Sequence, residues 1–305
     1  MKKMISTFGQ LERLVTDSGK KYRIAVACAQ DSNTISAISR AVKKGFVEAF
    51  LVGIKDEIIR TCRSENIDYS DFHFINANDE ISAAEIAVRM VRIDEADILM
   101  KGLVGTDTFL RAVMDRENGI MLPEAILSYV CAIQIPSYHK LLFITDPAVI
   151  PFPDLNRKIA MARYAIEMTK KFGIDKPKIA LVSATEKKMN KHFESSVDYS
   201  KMCEMAVNGQ IEDCVMDGPL DLFLACDKKS VEIKGVKTPI DGDADILLFP
   251  SLESANPFYK GLMLFAGGEL AGLIRGTTKP VIVMSRSESE NSKYYCIALS
   301  CLMSE

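Results

Sequence analysis

No stretch of the sequence approaches the roughly 18–20 consecutive apolar residues that a membrane-spanning helix needs. The opening residues, MKKMISTFGQLERLV, also lack a sustained apolar region followed by a small-residue cleavage site, so we expect no secretory signal. The eight cysteines are scattered without a C-x-x-C pair, which is typical of reduced thiols in a cytoplasmic protein. These absences predict a cytoplasmic location and no membrane partner.

An excess of positive charge is missing too. The formal net charge is −3 over 305 residues, so there is no broad cationic field and nucleic acid is not expected as a partner. Any polyanionic ligand must therefore be held by local donors rather than by the whole surface.

The common nucleotide and metal motifs are absent as well. Neither G-x-G-x-x-G nor G-x-x-x-x-G-K-[ST] occurs, which argues against a dinucleotide fingerprint and a P-loop. The three histidines (His73, His139 and His192) lie far apart with no HExxH, so we predict no zinc site. We predict no bound metal or cofactor.

What the chain does contain is an alternation of short apolar strands and helix-period segments. Tyr22–Ala29 and Ile98–Lys101 read as strands, and Asn33–Lys44 reads as a helix with Ser32 or Asn33 as its N-cap. This β-α-β-α rhythm predicts an α/β protein with a mainly parallel sheet and helices on both faces. The length allows two domains or one domain with a deep cleft.

The stretch from Asp241 to Arg286 is the most informative part of the chain. It predicts a strand at Asp245–Phe249, a polar loop at Pro250–Asn256 and a helix at Tyr259–Phe265. A second strand, Val281–Met284, ends in Ser285-Arg286, where open parallel sheets bind ligands. A guanidinium with an adjacent hydroxyl suits a phosphate, although a solvated arginine at a strand end is the alternative.

Other residues that could bind an anion lie at or near a predicted strand-to-helix turn. Gly102 and Gly105 follow a strand, so their backbone N–H groups could face an anion, or they could form a plain turn. Lys101 and Arg111 could compensate ligand charge, and Thr106 reads better as an N-cap than as a donor to a ligand.

Two further segments are open to either a functional or a structural interpretation. Asn256 and Lys260 lie at the predicted start of the Tyr259 helix, which is either an anion site or a cap-and-proline start. Asp217-Gly218-Pro219 has the composition of a turn.

Several of these segments resemble the phosphate acyltransferases, the phosphotransacetylase and phosphotransbutyrylase enzymes. The segment DADILLFPSLESANPFYK, the later Ile274–Pro280 and the pair Ser285-Arg286 resemble their C-terminal signature. Three upstream segments agree in the same order: Met100–Arg111 (MKGLVGTDTFLR), Ile144–Asp154 (ITDPAVIPFPD) and Asp217–Leu220 (DGPL). The resemblance covers the chain from about Ala96 onward, and the Met-Lys-Gly form favours the phosphotransbutyrylase branch.

The resemblance implies a fold and an assembly. It implies an isocitrate/isopropylmalate dehydrogenase-like α/β/α fold of two domains with a cleft between them. The first domain is expected at residues 1–136 plus 273–305, and the second, inserted domain at residues 137–272. A homo-oligomer, a dimer or larger, is implied as well.

The resemblance also implies an activity, the reversible transfer of a short-chain acyl group between coenzyme A and inorganic phosphate, most simply as a phosphate butyryltransferase. Acyl-CoA and phosphate are then substrates, transferred directly in a ternary complex without metal or acyl-enzyme. The residues implied for substrate binding are Lys101, Gly102, Arg111, Asp217, Asn256 and Lys260. Ser285 and Arg286 are implied for catalysis.

One departure from the family concerns the general base. Phosphotransacetylases that resemble this chain carry an aspartate a few residues after the Ser-Arg pair, thought to act on the coenzyme A thiol. Here SESENSKYY follows instead, so Glu288 is the first choice for a carboxylate base, unless it is only a first-turn acid of the last helix.

Two rival functions remain open at this point. A metal- and NAD(P)-dependent dehydrogenase of the same fold would need an acidic metal cluster, which the sequence does not assemble. A non-catalytic acyl-CoA or phosphate sensor would use the same pocket.

Overall fold

Strands and helices alternate through most of the computed structural model, which describes residues 4–188 and 190–304. The first half contains α1 (Phe8–Asp17), β1 (Tyr22–Ala27), α2 (Ser32–Lys43), β2 (Val47–Gly53), α3 (Lys55–Ser64), β3 (Phe72–Asn76), α4 (Glu80–Arg92), β4 (Ile98–Lys101), α5 (Thr106–Val113), β5 (Ser128–Gln134) and β6 (Leu142–Thr145). The second half contains α6 (Leu155–Lys171), β7 (Lys178–Val182), α7 (Ser195–Val207), β8 (Val215–Leu220), α8 (Leu222–Cys226), α9 (Lys228–Lys234), β9 (Ile246–Leu248), α10 (Leu252–Phe265), β10 (Glu269–Arg275), β11 (Val281–Ile282) and α11 (Glu290–Met303).

The chain divides into two units. The flanking unit consists of residues 8–127 together with the chain from Leu270 onward, and the central unit is built mainly from Ser128–Glu269.

The flanking unit contains strands in the order β3-β2-β1-β4-β11-β10. The pairs from β3 to β11 are parallel, and β10 runs antiparallel to β11. The apolar residues of β1 are buried on both faces, as expected for parallel strands covered by helices. The predicted mainly parallel α/β sheet is confirmed here.

The last helix of this unit, α11, is buried along nearly its whole length and packs on α2. A helix that is apolar nearly all round belongs in a core rather than at a surface. The sequence predicted this helix at Ser289–Leu302, and the structure has it at Glu290–Met303 with Ser289 as its N-cap.

The central unit has strands in the order β5-β6-β9-β7-β8. Among the pairings of these five strands within the described residues, β5–β6 is antiparallel, whereas β6–β9, β9–β7 and β7–β8 are parallel. The helix predicted after Asp154 is confirmed as α6, and the Asp154 carboxylate accepts a hydrogen bond from the Arg157 N–H at 2.9 Å.

Helix α10 begins earlier than the sequence suggested. The predicted polar loop at Pro250–Asn256 is wrong, because the Ser251 hydroxyl caps the helix by accepting from the Ser254 N–H and the helix starts at Leu252. Pro257 then lies inside the helix rather than at its start. Ser251, which lies about one and a half turns before Pro257, therefore sets the start of the helix, whereas we had assigned that start to the proline.

Three smaller predictions are also corrected. The N-cap of α2 is Asp31, whose carboxylate accepts from the Thr34 N–H at 2.9 Å, rather than Ser32 or Asn33. Thr106 is the first residue of α5 and Gly105 occupies the cap position. Asp217-Gly218-Pro219 forms part of strand β8 and not a turn, because Asp217 and the following Leu220 both pair with β7.

The acidic turn before β9, which carries Asp243 and Asp245, contacts the starts of the neighbouring strands β6 and β7 in the central unit. The Asp245 carboxylate is 7% exposed and accepts from the Lys178 N–H at 2.8 Å and from Lys140 Nζ at 2.7 Å. Lys140 and Lys178 also pair with Asp243, at 2.8 and 3.1 Å. These contacts fix the register at which β6, β7 and β9 enter the sheet.

Replacing Asp245 with alanine should therefore destabilise the protein. The Lys178 N–H would lose its partner, and a buried unsatisfied donor costs about 1–3 kcal/mol of the free energy of unfolding. Urea unfolding followed by circular dichroism measures this change. The exposed Asp175→Ala is the matched control and should stay within about 0.5 kcal/mol of the parent. Equal stability of the two variants would contradict a structural role for Asp245.

Candidate active site

A buried lysine lies at the carboxyl end of β4. Lys101 is 5% exposed, and its Nζ donates to the carbonyl oxygens of Gly102 at 3.1 Å and Val104 at 3.0 Å. Burying an ammonium away from water is costly unless it finds acceptors, and these two carbonyls provide them. Lys101 is thus fixed in place by the loop that follows it, residues 102–105.

The 102–105 loop lies tightly against the end of β1. The Gly102 N–H donates to the Ala27 carbonyl and the Leu103 N–H to the Cys28 carbonyl, both at 2.8 Å. A Cβ on Gly102 would lie 2.2 Å from the Cys28 oxygen, so the loop has room only for glycine at this position.

The backbone amides of Gly102 and Gly105 are engaged within the protein. We expected them to be able to face an anion, but Gly102 donates to Ala27 and Gly105 donates to Glu80 Oε2 at 3.0 Å. The expectation fails because the loop packs on β1 and on the first turn of α4. Gly102 therefore contributes to this site through the close approach that it permits.

The Ser285-Arg286 pair follows β11 at the same edge of the sheet. Ile282 of β11 is in register with Met100 of β4, and the two strands are parallel, so their carboxyl ends meet. The Arg286 Nη2 donates to the Leu103 carbonyl at 2.7 Å, while the Ser285 hydroxyl lies 3.0 Å from the Ser287 hydroxyl. The predicted residues Lys101, Gly102, Ser285 and Arg286 are thus brought together around one loop.

Two charged residues at this edge, a buried lysine and a half-buried aspartate, were missed by the sequence analysis. Lys293 of α11 is 2% exposed and donates from Nζ to Asp31 Oδ2 at 2.6 Å and to the Thr34 hydroxyl at 3.2 Å. A lysine followed by the apolar YYCIAL of a core helix is the signal that could have revealed the pair.

Glu288 lies in the turn between Arg286 and α11 and is half-buried. Its N–H donates to the Ser285 carbonyl at 3.2 Å, and its carbonyl accepts from Asn33 Nδ2 at 3.3 Å. The turn is therefore tied to the start of α2. Glu288 as a base remains a prediction.

The electrostatics of the cluster follow from burial and from neighbouring charge. Burial, and then the positive charges of Arg286 and Lys293, lower the pKa of Lys101. Burial pushes the pKa of Asp31 upward, but the Lys293 ammonium and the Thr34 hydroxyl hold it below its usual range. Burial raises the pKa of the Cys28 thiol to about 11, so it is protonated at neutral pH.

Arg111 lies apart from the loop in the same unit. It is exposed on α5 and lines a groove of about 520 Å³ between α4 and α5, together with Arg89 and Arg92. The groove has an apolar component from Ile81, Val88 and Ile93, and the carboxylates of Glu85 and Asp115 line it beside the arginines.

The other three predicted ligands belong to the central unit. Asn256 donates from Nδ2 to the Pro147 carbonyl at 2.8 Å, so its amide holds the loop after β6. It lies in the second turn of α10 and not at the helix N-terminus, so an anion beside it would not face the free N–H groups of that helix end. Lys260 is exposed on the same helix, and Asp217 is half-buried in β8.

Within the described residues, 4–188 and 190–304, no group of three or more histidine, cysteine, aspartate or glutamate side chains is placed to hold a metal ion. Within the same ranges, no helix combines the length and apolarity needed to cross a membrane.

The sequence of the chain matches a family model. The model for phosphate acetyl/butaryl transferase matches residues 80–301, which include every predicted site residue. The chain belongs to this family.

Individual phosphate acyltransferases align with nearly the whole chain. It is 36% identical to the phosphate butyryltransferase of Clostridium acetobutylicum, covering 98% of this chain and 99% of that protein. It is 32% identical to the phosphate acetyltransferase of Thermotoga maritima, covering 96% and 99%. Membership of the family is therefore supported over both units and not only over the motifs.

A crystal structure agrees with these relatives. A branched-chain phosphotransacylase from Enterococcus faecalis superimposes with a TM-score of 0.82 at 28% identity, covering 93% of this chain and 99% of that chain. The fold described above is thus the mixed α/β fold of phosphotransacylases.

In this phosphate acyltransferase, Gly102→Ala should disturb the loop that carries the cluster. The added methyl group would meet backbone atoms, and overpacking of this kind costs about 1–3 kcal/mol. We expect a lower free energy of unfolding in urea and a loss of enzymatic activity as Arg286 loses its anchor at Leu103.

Gly105→Ala is the control for this substitution. Its Cβ would meet nothing nearer than 3.8 Å, and replacing a glycine at a helix cap costs at most about 1 kcal/mol. Activity should be retained. Equal effects of the two substitutions would show that the close approach at Gly102 is unimportant.

Proposed function

We propose that this chain catalyses the reversible transfer of a short-chain acyl group, most simply butyryl, between coenzyme A and inorganic phosphate. The family match over residues 80–301 carries the proposal. The gathering of Lys101, Ser285 and Arg286 at one sheet edge supports it, because a phosphate and a thioester carbonyl both need positively charged donors there.

Arg286 is assigned to the phosphate. One of its terminal nitrogens is anchored on the Leu103 carbonyl, which orients the planar guanidinium and leaves other N–H groups for the two oxygens of an anion. The exposed Ser285 hydroxyl is adjacent in sequence and supplies one more hydrogen bond. Lys101, which is bound to the carbonyls of the 102–105 loop, adds positive electrostatic potential.

The reaction then needs positioning and charge stabilisation. A phosphate oxygen attacks the thioester carbonyl carbon, the C–S bond breaks, and coenzyme A leaves as a thiolate that takes up a proton. Holding both substrates together removes much of the entropic cost, and cationic donors stabilise the developing oxyanion. If a carboxylate handles the thiol proton, Glu288 is the assigned residue.

Several finer assignments belong to the same proposal. The dehydrogenase-like α/β/α fold has a first domain at residues 1–136 plus 273–305 and a second at residues 137–272, with a cleft between them. Arg111, Asp217, Asn256 and Lys260 are assigned to substrate binding, and Gly102 to shaping the site. A homo-oligomer, a cytoplasmic location, and coenzyme A as a substrate rather than a cofactor complete the assignment.

The activity itself is the first test. Purified protein should release coenzyme A from butyryl-CoA only when phosphate is present, without added divalent metal, as followed with a thiol reagent. Acetyl-CoA and propionyl-CoA in parallel assays report the preferred chain length. A requirement for Mg²⁺ and a nicotinamide cofactor would favour the dehydrogenase, and ligand binding without turnover would favour the sensor.

Arg286→Lys tests geometry apart from charge. Lysine keeps the positive charge but loses the planar fork and the anchor on Leu103, so the variant should remain strongly impaired. Loss of one transition-state donor costs about 10²–10³ in kcat. Arg60→Lys, at an exposed position on α3 of the same unit, is the matched control and should behave like the parent. Near-normal kinetics in Arg286→Lys would show that Arg286 contributes only a solvated positive charge.

A further inference from the structure

The ion pair between Lys293 and Asp31 lies beside the site but has no part in the proposed reaction. The Lys293 Nζ donates to Asp31 Oδ2 at 2.6 Å and to the Thr34 hydroxyl at 3.2 Å. The Thr34 hydroxyl in turn donates to the same carboxylate. Lys293 is 2% exposed and Thr34 is 1% exposed, so the three side chains form a closed network that is nearly sealed from solvent.

Stability alone is a weak reason to keep an ion pair at this depth. Taking two charges out of water is costly, so replacing a buried pair by apolar side chains of similar volume is often neutral or stabilising. What the pair does provide is a set of short, directional, charge-assisted hydrogen bonds. Such bonds are suited to holding two segments of the chain in one relative position.

The segments that the pair joins are the one after β1 and the start of α11. Asp31 follows β1 as the N-cap of α2, whereas the Lys293 N–H donates to the Ser289 carbonyl at 3.1 Å in the first turn of α11. Only residues 287–289 separate that turn from Arg286, and within them the Glu288 N–H donates to the Ser285 carbonyl. A constraint on Lys293 is therefore passed to the backbone of Arg286 through a short, hydrogen-bonded turn.

Other contacts between α2 and this segment are exposed. Asn33 Nδ2 donates to the Glu288 carbonyl at 3.3 Å, and Arg40 Nη1 donates to Asn291 Oδ1 at 2.9 Å. Water competes for the donors and acceptors of both bonds. The Lys293–Asp31 pair is the contact from which water is kept away.

The side chain of Arg286 is tied to the end of β1 by another route. Its Nη2 donates to the Leu103 carbonyl at 2.7 Å, and the Leu103 N–H donates to the Cys28 carbonyl at 2.8 Å. The guanidinium is thus held through the 102–105 loop, and the backbone of the same arginine is held through Lys293. If the second connection is lost, one end of Arg286 is free to shift while the other stays anchored.

On the basis of the proposed function, we propose that Lys293 is a positioning residue for the phosphate site. Its pair with Asp31 holds the turn from Ser285 to Ser289 in the position from which the Arg286 guanidinium meets phosphate. Lys293 acts through Arg286 and not on the substrate, because its nitrogen is buried against Asp31 and Thr34. A misplacement of about 1 Å in a group that positions the substrate can cost about 10² in rate.

Lys293→Met tests this role in the enzyme. Methionine keeps an unbranched side chain of similar length but cannot hydrogen-bond to Asp31. We expect kcat/KM for phosphate to fall about 10–100-fold, because the displaced group is the one assigned to phosphate. The KM for butyryl-CoA should stay unchanged. Initial rates with each substrate varied in turn measure both parameters.

A double variant keeps the test independent of the folding of Lys293→Met. Asp31→Asn combined with Lys293→Met leaves no unpaired charge, and asparagine preserves the N-cap of α2. This protein should fold and show the same loss in kcat/KM for phosphate. Phosphate kinetics equal to those of the parent would overturn the positioning role.

Lys158→Met is the matched control. Lys158 is 4% exposed on α6 and pairs with Asp198 of α7 at 2.7 Å, so the same substitution breaks a similarly buried pair in the central unit. Urea unfolding should show a loss of stability in both single variants. The KM for phosphate should change only in Lys293→Met, and equal phosphate kinetics in the two would mean that Lys293 is merely structural.

A double-mutant cycle with Arg286→Lys shows whether Lys293 acts through the arginine. If it does, adding Lys293→Met to Arg286→Lys lowers kcat/KM for phosphate by less than about threefold, because the positioned group is already gone. A loss by the same factor in both backgrounds would overturn the assignment. General destabilisation, or the electrostatic field of the ammonium, would act without Arg286.

Titration calorimetry with inorganic phosphate gives a readout that needs no turnover. The parent and Lys158→Met should bind phosphate with equal affinity, and Lys293→Met should bind it at least about tenfold more weakly. Equal affinity in all three proteins would overturn the positioning role. A parent that binds phosphate but releases no coenzyme A from butyryl-CoA would instead overturn the proposed function, and the titration would still decide the role of Lys293.

Discussion

The close approach of Gly102 to the end of β1 is the constraint on which the rest of the cluster depends. Because this residue has no Cβ, its N–H and that of Leu103 reach the Ala27 and Cys28 carbonyls, and the loop lies flat against the strand. The loop's own carbonyls then accept hydrogen bonds from Lys101 and Arg286. A glycine without any chemistry of its own thereby sets the positions of both cations.

The cluster concentrates buried positive charge in a protein whose net charge is slightly negative. Such charges are tolerated because each has a specific acceptor: loop carbonyls for Lys101, and Asp31 with Thr34 for Lys293. In the proposed reaction a phosphate, a thiolate and an oxyanion all carry negative charge. We propose that local donors, rather than a basic surface, hold them.

Much of the fold could be read from local patterns. The strands β1 and β4, the helix after Asp154 and the buried last helix follow from apolar periodicity and caps. The strand through Asp217 could not be read this way, because a Gly-Pro pair is a turn signal that pairing with β7 overrides. The start of α10 was missed for a local reason, because the Ser251 cap begins the helix before Pro257. Motif order predicted Lys101, Ser285 and Arg286, but not Asp31 or Lys293, which lie far apart in sequence.

The sequence by itself determined the α/β class, the family and the residue types of the candidate site, because periodicity and ordered motifs are properties of the chain alone. Only the tertiary structure decided which of those residues meet. Parallel strands place Ser285-Arg286 beside Lys101, while Arg111 turns into a separate groove between α4 and α5. It also decided that the glycine amides are occupied and that Lys101 is buried, since hydrogen-bond partners and burial depend on segments distant in the sequence.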